Sequence, residues 1–170
     1  VDKYYGWVEK KFLGKRQENT HIISSVRGTV LSKNNVKSSF ITFLPMRSKI
    51  KVINITDDWS KVEFNNNLNK TYGYISNFQI INKQKNYKNF VHFAKKLIGT
   101  PYRWGGRDTQ GIDCSALVQI SMAFSGINLP RDSKDQLKYF TKHKNYKIVN
   151  KIKIIKYLKR GNLVYWPGHI

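Results

Sequence analysis

Two side chains in the second half of the chain have the types and the spacing for nucleophilic chemistry. Cys114, the only cysteine, opens an apolar run with helical spacing, and His169 follows a Pro-Gly turn later in the chain. A thiol becomes a strong nucleophile as the thiolate, which needs a nearby base and a positive local field. The start of a helix supplies that field, because its first N–H groups are unpaired. We interpret Cys114 as a nucleophile and His169 as its base, the pair expected in a cysteine hydrolase.

The residues on either side of Cys114 suit the same chemistry. Unpaired N–H groups at a helix start can bind the oxyanion that forms when a thiolate attacks a carbonyl, and the N–H of Ser115 is a candidate donor. Asp113 is placed to cap the helix and is unsuited as the base, because a carboxylate beside the sulfur disfavours the thiolate. The residues alone leave one alternative open, since an isolated cysteine is usually a small core residue.

His169 is the best base among the four histidines of the chain. His21 lies in the first half, His92 lies in a predicted helix, and His143 lies in a lysine-rich stretch that we expect at the surface. Only His169 follows an apolar run, residues 163–166, which predicts a strand. A second strand is predicted to begin at His169 itself.

The apolar pattern from residue 90 onward predicts the elements that position this pair. Residues 90–98 have helical spacing, and 102–112 form a loop in which we expect Trp104 to be a core anchor. A second helix starts near Asp113. Ser133 and Gln136 have the spacing of a capping box at the start of a third helix.

The first half of the chain has the alternating polar and apolar residues of half-buried strands. Such runs occupy 49–55, 59–64 and 71–75, and short strands separated by polar turns predict a small barrel. Residues 3–8 resemble 70–75, which predicts a second barrel unit represented only by its final strand. Chance similarity of two short aromatic segments is the alternative.

Composition excludes several classes of protein. The single cysteine rules out an intrachain disulfide and a paired-cysteine zinc site, and no apolar stretch approaches the ~20 residues of a transmembrane helix. The net charge of +21 favours a polyanionic partner, but the lysines are spread along the whole chain and no nucleic-acid motif is present. We therefore expect no nucleic-acid partner. The chain starts at Val1 with charged residues close behind, which indicates a segment of a longer protein rather than a signal peptide.

Motifs in both halves resemble known families. Residues 99–106 (G-T-P-Y-R-W-G-G) and 111–118 (G-I-D-C-S-A-L-V) look like the signature of the NlpC family of cell-wall cysteine peptidases. Residues 129–133 fit its L-P-R-x-S element, and 161–170 fit its G-D-L-V-[FY] strand and G-H-[VI] catalytic histidine. Residues 25–82 resemble the bacterial SH3-like barrels that accompany cell-wall hydrolases, through a D-x-W-x-K-V stretch and a closing G-[YW]-[VI] strand.

The resemblances imply an α+β fold, in which a small all-β SH3-like barrel precedes a papain-like α+β domain. Residues 1–14 would be the last strand of a preceding SH3-like unit, 15–82 the barrel, 83–89 a linker, and 90–170 an NlpC-type domain truncated at its C-terminal end. The family's third polar residue, which orients the histidine, falls beyond Ile170. We therefore expect the isolated segment to be unstable or poorly active.

The NlpC resemblance also implies roles for single residues. Cys114 corresponds to the nucleophile, His169 to the general base, and Tyr102 to a loop tyrosine whose hydroxyl helps to bind the oxyanion or the substrate. Asn162 stands where the family usually has Asp, a position that we assign to the turn. No metal or organic cofactor is implied. The residues implied to hold a free N-terminal amine, as in dipeptide-releasing members, are Asp113, Ser115 and Ser133.

The implied activity is hydrolysis of peptidoglycan stem peptides at the bond between γ-D-glutamate and the following diamino acid, with release of a dipeptide. The expected partner is peptidoglycan or a muropeptide, and we expect a monomer. The implied location is the cell envelope, periplasm or exterior, or the cytoplasm for a recycling enzyme. Three alternatives remain at this point: a non-catalytic wall-binding relic, an amidase or acyltransferase with the same Cys-His pair, and a nucleic-acid-binding protein.

Overall fold

The computed structural model describes residues 5–13, 18–66, 69–143, 147–149 and 151–170. The chain divides into two compact units, with the division between Lys85 and Asn86. The finer predicted boundaries, including the assignment of residues 1–14 to a preceding unit, stay predictions. No helix within the described ranges is long and apolar enough to cross a membrane.

The first unit is built from seven antiparallel strands. The predicted strand at 49–55 is confirmed, and the predicted strands at 59–64 and 71–75 lie within slightly longer ones. Single turns of 3-10 helix occupy Lys10–Phe12 and Asn77–Gln79. The strands are β1 (His21–Ile23), β2 (Arg27–Leu31), β3 (Phe40–Pro45), β4 (Lys49–Ile55), β5 (Trp59–Asn66), β6 (Asn69–Ser76) and β7 (Ile80–Asn82).

These strands form one sheet in the order β3-β2-β6-β5-β4-β1-β7. The sheet folds back on itself, because Ile23 of β1 and Val30 of β2 share one core although three strands lie between theirs. A Cβ on Gly28 would lie 2.6 Å from Cδ1 of Ile23, so a larger residue at this position would require the Ile23 side chain to shift. Among the described residues no hydrogen bonds pair β3 with β7. The sheet is therefore not closed, and the finer assignment to SH3-like barrels stays a prediction.

The second unit is mainly helical. Its core includes the stacked rings of Phe93 and Phe124, whose centroids are 3.7 Å apart, and a cluster around Val118, Met122 and Leu129. A 3-10 segment covers Lys151–Tyr157. The other elements are α1 (Phe90–Lys96), β8 (Arg107–Asp108), β9 (Gly111–Ile112), α2 (Cys114–Ala123) and α3 (Ser133–Lys142).

The predicted capping box at the third helix is wrong. The N-cap of α3 is Asp132, and the side chain of Gln136 turns away from the helix start. Its Nε2 donates instead to the carbonyl oxygens of Ser115 and Pro130, both at 2.9 Å. Hydrogen bonds to two carbonyl groups inside the protein stabilise the fold more than a bond at an exposed helix end, because buried carbonyl groups would otherwise lack a partner.

The predicted strand at 163–166 is also absent. Its only pairing in the described part of the chain is an isolated bridge between Trp166 and His169. A strand is stabilised by hydrogen bonds to a neighbour, and no described segment runs beside this one. Leu163 nevertheless packs on the core of the second unit. The apolar pattern of residues 163–166 therefore reflects contact with the core and not hydrogen bonding in a sheet.

Candidate active site

Cys114 is the first residue of α2 and is half-buried. The helix starts there because Asp113 has an extended backbone and its Oδ1 accepts a hydrogen bond from the N–H of Ala116 at 2.8 Å. The predicted cap is thus confirmed. The N–H of Leu117 donates to the carbonyl of Asp113 and that of Ala116 to its side chain, so at this helix start the N–H groups of Cys114 and Ser115 are the ones without an acceptor in the described structure.

Asp113 is also half of a buried ion pair with Arg131. Nη1 of Arg131 donates to Oδ1 at 2.9 Å, and Nη2 donates to Oδ2. The two side chains are only 9% and 10% exposed, so water screens the pair weakly. Burial by itself would raise the pKa of Asp113, but the hydrogen bonds from Arg131 and from the N–H of Ala116 outweigh it. The net effect lowers the pKa below its usual range.

Ser115 and the glycine loop complete this polar network. The Ser115 hydroxyl donates to Oδ1 of Asp113 at 3.2 Å and accepts from Nη1 of Arg131 at 2.9 Å. The N–H of Gly105 donates to Oδ2 of Asp113 at 3.0 Å. The carboxylate therefore accepts hydrogen bonds from four different residues, and these tie the loop, the start of α2 and the segment before α3 together.

The loop that carries Tyr102 is held by its own main chain. Tyr102 and Ile112 form an isolated β-bridge. The backbone at Gly106 also lies so close to Gly111 that a Cβ on Gly106 would be 2.2 Å from the carbonyl oxygen of Gly111. The Tyr102 side chain is 58% exposed. Desolvation, followed by the negative charges of Cys114 and Asp113, raises the pKa of its hydroxyl.

Trp104 does not anchor the loop, contrary to the prediction, since 84% of its side chain is exposed. The contacts between glycines and the bond from Gly105 to Asp113 hold the loop instead. An indole on a loop fixed by its backbone need not be buried.

A cleft of about 280 Å³ opens beside the cysteine. Its polar lining comes from Thr100, Tyr102, Asp113 and Cys114. Most of the remaining lining is apolar and includes Leu97 at the end of α1 and Leu117 of α2. A nucleophile at the edge of an apolar cleft, with two N–H groups beside it, is suited to attack on a bound carbonyl. No group of three or more metal-ligating side chains lies in the described ranges.

His169 and Ser133 are not joined to this network directly. His169 is half-buried in a tight turn with Gly168 at φ +80°, and its ring lies 4.8 Å from that of Trp166. Within the described residues, no hydrogen bond links its ring to the Cys114 thiol. The half-buried Ser133 opens α3 but makes no side-chain hydrogen bond to Asp113 or Ser115 there.

Three further residues belong to the site, although no role in it was predicted for them. Arg131 neutralises Asp113, and Gln136 ties α3 to the carbonyl of Ser115. The hydroxyl of Tyr165 is buried, and the Cys114 charge acts on it. Arg131 and Tyr165 had a sequence signal, because Arg131 stands inside the same L-P-R-x-S element as Ser133 and Tyr165 ends the G-D-L-V-[FY] element.

The second half of the chain is similar in sequence to a known protein family. The model of the NlpC/P60 family matches residues 99–170. A dipeptidyl-peptidase 6 from Lysinibacillus sphaericus is 33% identical over 87 residues, which is 49% of this chain and 27% of the relative. A gamma-D-glutamyl-L-lysine dipeptidyl-peptidase from Bacillus subtilis is 27% identical over 143 residues, 79% of this chain and 46% of the relative.

A solved structure supports the fold. The crystal structure of an NlpC/P60 family protein from Bacillus cereus superposes with a TM-score of 0.60 at 17% identity, covering 79% of this chain and 43% of that protein. The chain thus spans less than half the length of each of these three proteins.

Proposed function

We propose that the chain is a cysteine peptidase that cleaves the γ-D-glutamyl–diamino acid bond of peptidoglycan stem peptides, since residues 99–170 match the model of the NlpC/P60 family. The observation that carries the proposal is the position of Cys114, at the start of α2, beside the cleft and next to two N–H groups without backbone acceptors. The bond is suggested by the printed name of the Bacillus subtilis relative.

In the proposed reaction, the Cys114 thiolate attacks the γ-carbonyl carbon of D-glutamate. The resulting oxyanion accepts hydrogen bonds from the N–H groups of Cys114 and Ser115. The Tyr102 hydroxyl is a further donor, and its raised pKa keeps the proton on the oxygen at neutral pH. The tetrahedral intermediate collapses, the C–N bond breaks, and a thioester to Cys114 remains.

His169 would accept the thiol proton and deliver it to the leaving amine. A water molecule then attacks the thioester with His169 as its base, which releases the acid and regenerates the thiol. The step requires His169 to come within hydrogen-bond reach of the sulfur. Catalytic hydrogen bonds are often long in proteins without substrate and shorten in the complex.

The proposed binding of the free amine by Asp113, Ser115 and Ser133 must compete with the contacts that these groups already make. A carboxylate has about four acceptor positions, and Asp113 already accepts from Arg131, Gly105 and other donors. An ammonium group would therefore share Asp113 with the guanidinium or displace a weaker donor. For the first unit we propose an SH3-like module that contacts wall peptides.

Mass spectrometry of an L-Ala-γ-D-Glu-diaminopimelate tripeptide after incubation with the full-length protein, rather than with the isolated segment, tests the proposal. The parent should release L-Ala-γ-D-Glu, and the Cys114→Ala variant should release none. Circular dichroism of both proteins verifies that they are folded. A folded parent that leaves the peptide intact would refute the proposed bond, and would favour a wall-binding relic or another acyl substrate.

A further inference from the structure

Ser115 is held in place at every polar atom except its N–H group. Its hydroxyl donates to Oδ1 of Asp113 at 3.2 Å and accepts from Nη1 of Arg131 at 2.9 Å. Its carbonyl oxygen accepts from Nε2 of Gln136 at 2.9 Å, and the residue is only 5% exposed. The N–H group that is left is one of the two to which the proposed reaction assigns the oxyanion. The contacts of the other atoms therefore decide where this N–H points.

Gln136 is the most distant of these anchors, 21 residues along the chain from Ser115. It is fully buried in the first turn of α3, where its own N–H donates to the carbonyl of Asp132 at 2.9 Å. Its Nε2 donates to the carbonyl oxygens of Ser115 and Pro130, both at 2.9 Å. Because Pro130 directly precedes Arg131, one amide group holds the backbone beside the nucleophile and the backbone that leads to the buried cation.

The other half of the Gln136 amide has no partner. Its Oε1 is buried and accepts no hydrogen bond from any residue that the structure describes. A buried carbonyl oxygen without a donor destabilises the folded state, because it has lost its hydrogen bonds to water. This loss offsets part of what the two bonds of Nε2 contribute. A glutamine at this position therefore calls for an explanation beyond stability.

Gln119 of α2 is a close counterpart of Gln136 whose side chain does not bind Ser115. It is 6% exposed, its Nε2 donates to the carbonyl of Leu129 at 2.9 Å, and its Oε1 is also buried without a partner in the described residues. Both glutamines thus hold the segment that precedes Arg131. Only Gln136 also reaches the residue next to the nucleophile, so a comparison of the two isolates the contact with Ser115.

We propose that Gln136 is a positioning residue for the oxyanion. By holding the Ser115 carbonyl, it keeps the Ser115 N–H directed at the oxygen of a carbonyl group that Cys114 attacks. This role rests on the proposed function, since it concerns the same nucleophile. Donors that are fixed before the reaction stabilise an oxyanion without a cost of reorganisation. Gln136 acts through Ser115 and not on the substrate itself.

The test compares two reactions of Cys114 in the full-length protein. The thiolate attacks p-nitrophenyl acetate at its carbonyl carbon: the S–C bond forms through an oxyanion, and the C–O bond then breaks to release p-nitrophenolate, whose absorbance gives the rate. Iodoacetamide is attacked at its methylene carbon with loss of iodide, so no oxyanion forms. Both reactions need the thiolate, so the ionisation of the sulfur cancels in the ratio of the two rates. The rates of Cys114→Ala are subtracted as background.

In Gln136→Met we expect the ratio of acylation to alkylation to fall by about tenfold or more, because a displaced donor loses much of its effect on the oxyanion. The alkylation rate itself should stay within about twofold of the parent's, since that reaction has no oxyanion. Gln119→Met is the matched control: it loses the bond to the Leu129 carbonyl and should keep the parent's ratio. An unchanged ratio in Gln136→Met would overturn the proposal, as would an equal fall in Gln119→Met or a parallel loss of both rates.

Gln136→Asn covers the case in which Gln136→Met does not fold. It keeps an amide but is one methylene shorter, so it cannot reach both carbonyl groups, and the ratio should again fall. If circular dichroism shows that neither variant folds, Gln136 is needed for the fold itself and the proposal is overturned. Neither reagent is a peptide, so an intact tripeptide would refute the proposed bond and leave the ratio as a separate result.

Discussion

Both units of the chain bury polar side chains, but in the second unit both members of an ion pair are buried. In the first unit, Ile23, Val30 and Ile75 are fully buried in an apolar cluster to which six of the described strands contribute buried residues. In the second, the ion pair of Asp113 and Arg131 is buried beside the candidate nucleophile. All the buried side-chain oxygen atoms without a partner in the described residues also lie in the second unit.

This difference suggests that the first unit is organised mainly for stability and that the second unit also carries the candidate site. An apolar core gains free energy from every side chain that it removes from water. A polar network gains much less, because desolvation of its charges offsets most of their attraction. Sites commonly break the rules that stabilise the rest of a protein. The position of the polar network and the unsatisfied atoms in the second unit agrees with the assignment of the chemistry to that unit.

The largest effect is expected from removing the cation of the buried pair. Arg131→Met leaves the Asp113 carboxylate buried without its counter-charge, which should destabilise the protein by about 3–5 kcal/mol. Chemical unfolding followed by fluorescence measures the loss. The matched control is Lys138→Met, since Lys138 pairs with Asp135 at the surface with 67% of its side chain exposed, and such pairs contribute about 0–1 kcal/mol.

If Arg131→Met and Lys138→Met lowered the free energy of unfolding equally, the buried ion pair would matter no more for stability than the exposed one, which would contradict the prediction. The double variant Arg131→Met with Asp113→Asn sharpens it further. Removal of both charges should restore part of the stability that Arg131→Met loses, because no buried charge then remains unpaired.

The second prediction concerns the apolar core of the first unit. Ile75 is fully buried, so Ile75→Ala should destabilise the protein by about 2–5 kcal/mol through lost burial and the cavity left behind. Under native conditions it should leave the alkylation rate of Cys114 unchanged, because Ile75 belongs to the other unit. The control is Ile53→Ala, which removes a side chain that is 46% exposed. A large change in the alkylation rate in folded Ile75→Ala would break the separation of roles.

Sequence patterns predicted the local features of both units. The strand at Lys49–Ile55 follows from alternation, and the cap by Asp113 follows from the residue type that precedes an apolar run. Both depend on neighbours in the chain. Asn162 is a similar case: its Oδ1 accepts from the N–H of Lys159 at 2.6 Å, so the side chain closes the turn to which the sequence assigned it.

Contacts between distant segments could not be predicted in this way. Arg131 reaches Asp113, and Gln136 reaches the Ser115 carbonyl, across separations that carry no periodic signal. Because contacts between distant segments are not visible in local patterns, the predictions of Gln136 in a capping box and of Trp104 in a core are both wrong. The chemistry of the site was therefore suggested by motifs, while the network that supports it became visible only in three dimensions.

The smallest predicted effect is the dependence of stability on acid. The pKa of Asp113 is lowered in the folded state, so its contribution is complete above the unfolded value of about 3.9 and is lost as pH falls through the folded value. The thermal midpoint of unfolding should therefore decrease when the pH is lowered below about 4. The fall should be smaller than the loss in Arg131→Met, because a protonated Asp113 still accepts hydrogen bonds from Arg131.

Two variants assign this acid transition to Asp113 by differential scanning calorimetry between about pH 3 and pH 7. Asp113→Asn cannot ionise, so its thermal midpoint should decline less steeply in acid than that of the parent, although it is lower at neutral pH. Asp135→Asn removes an exposed carboxylate paired with Lys138 and should keep the parent's slope. If Asp113→Asn declined as steeply as the parent, the acid sensitivity would belong to other carboxylates. The buried pair would then contribute through its hydrogen bonds rather than its charge, and the contrast between the two units would be one of polarity alone.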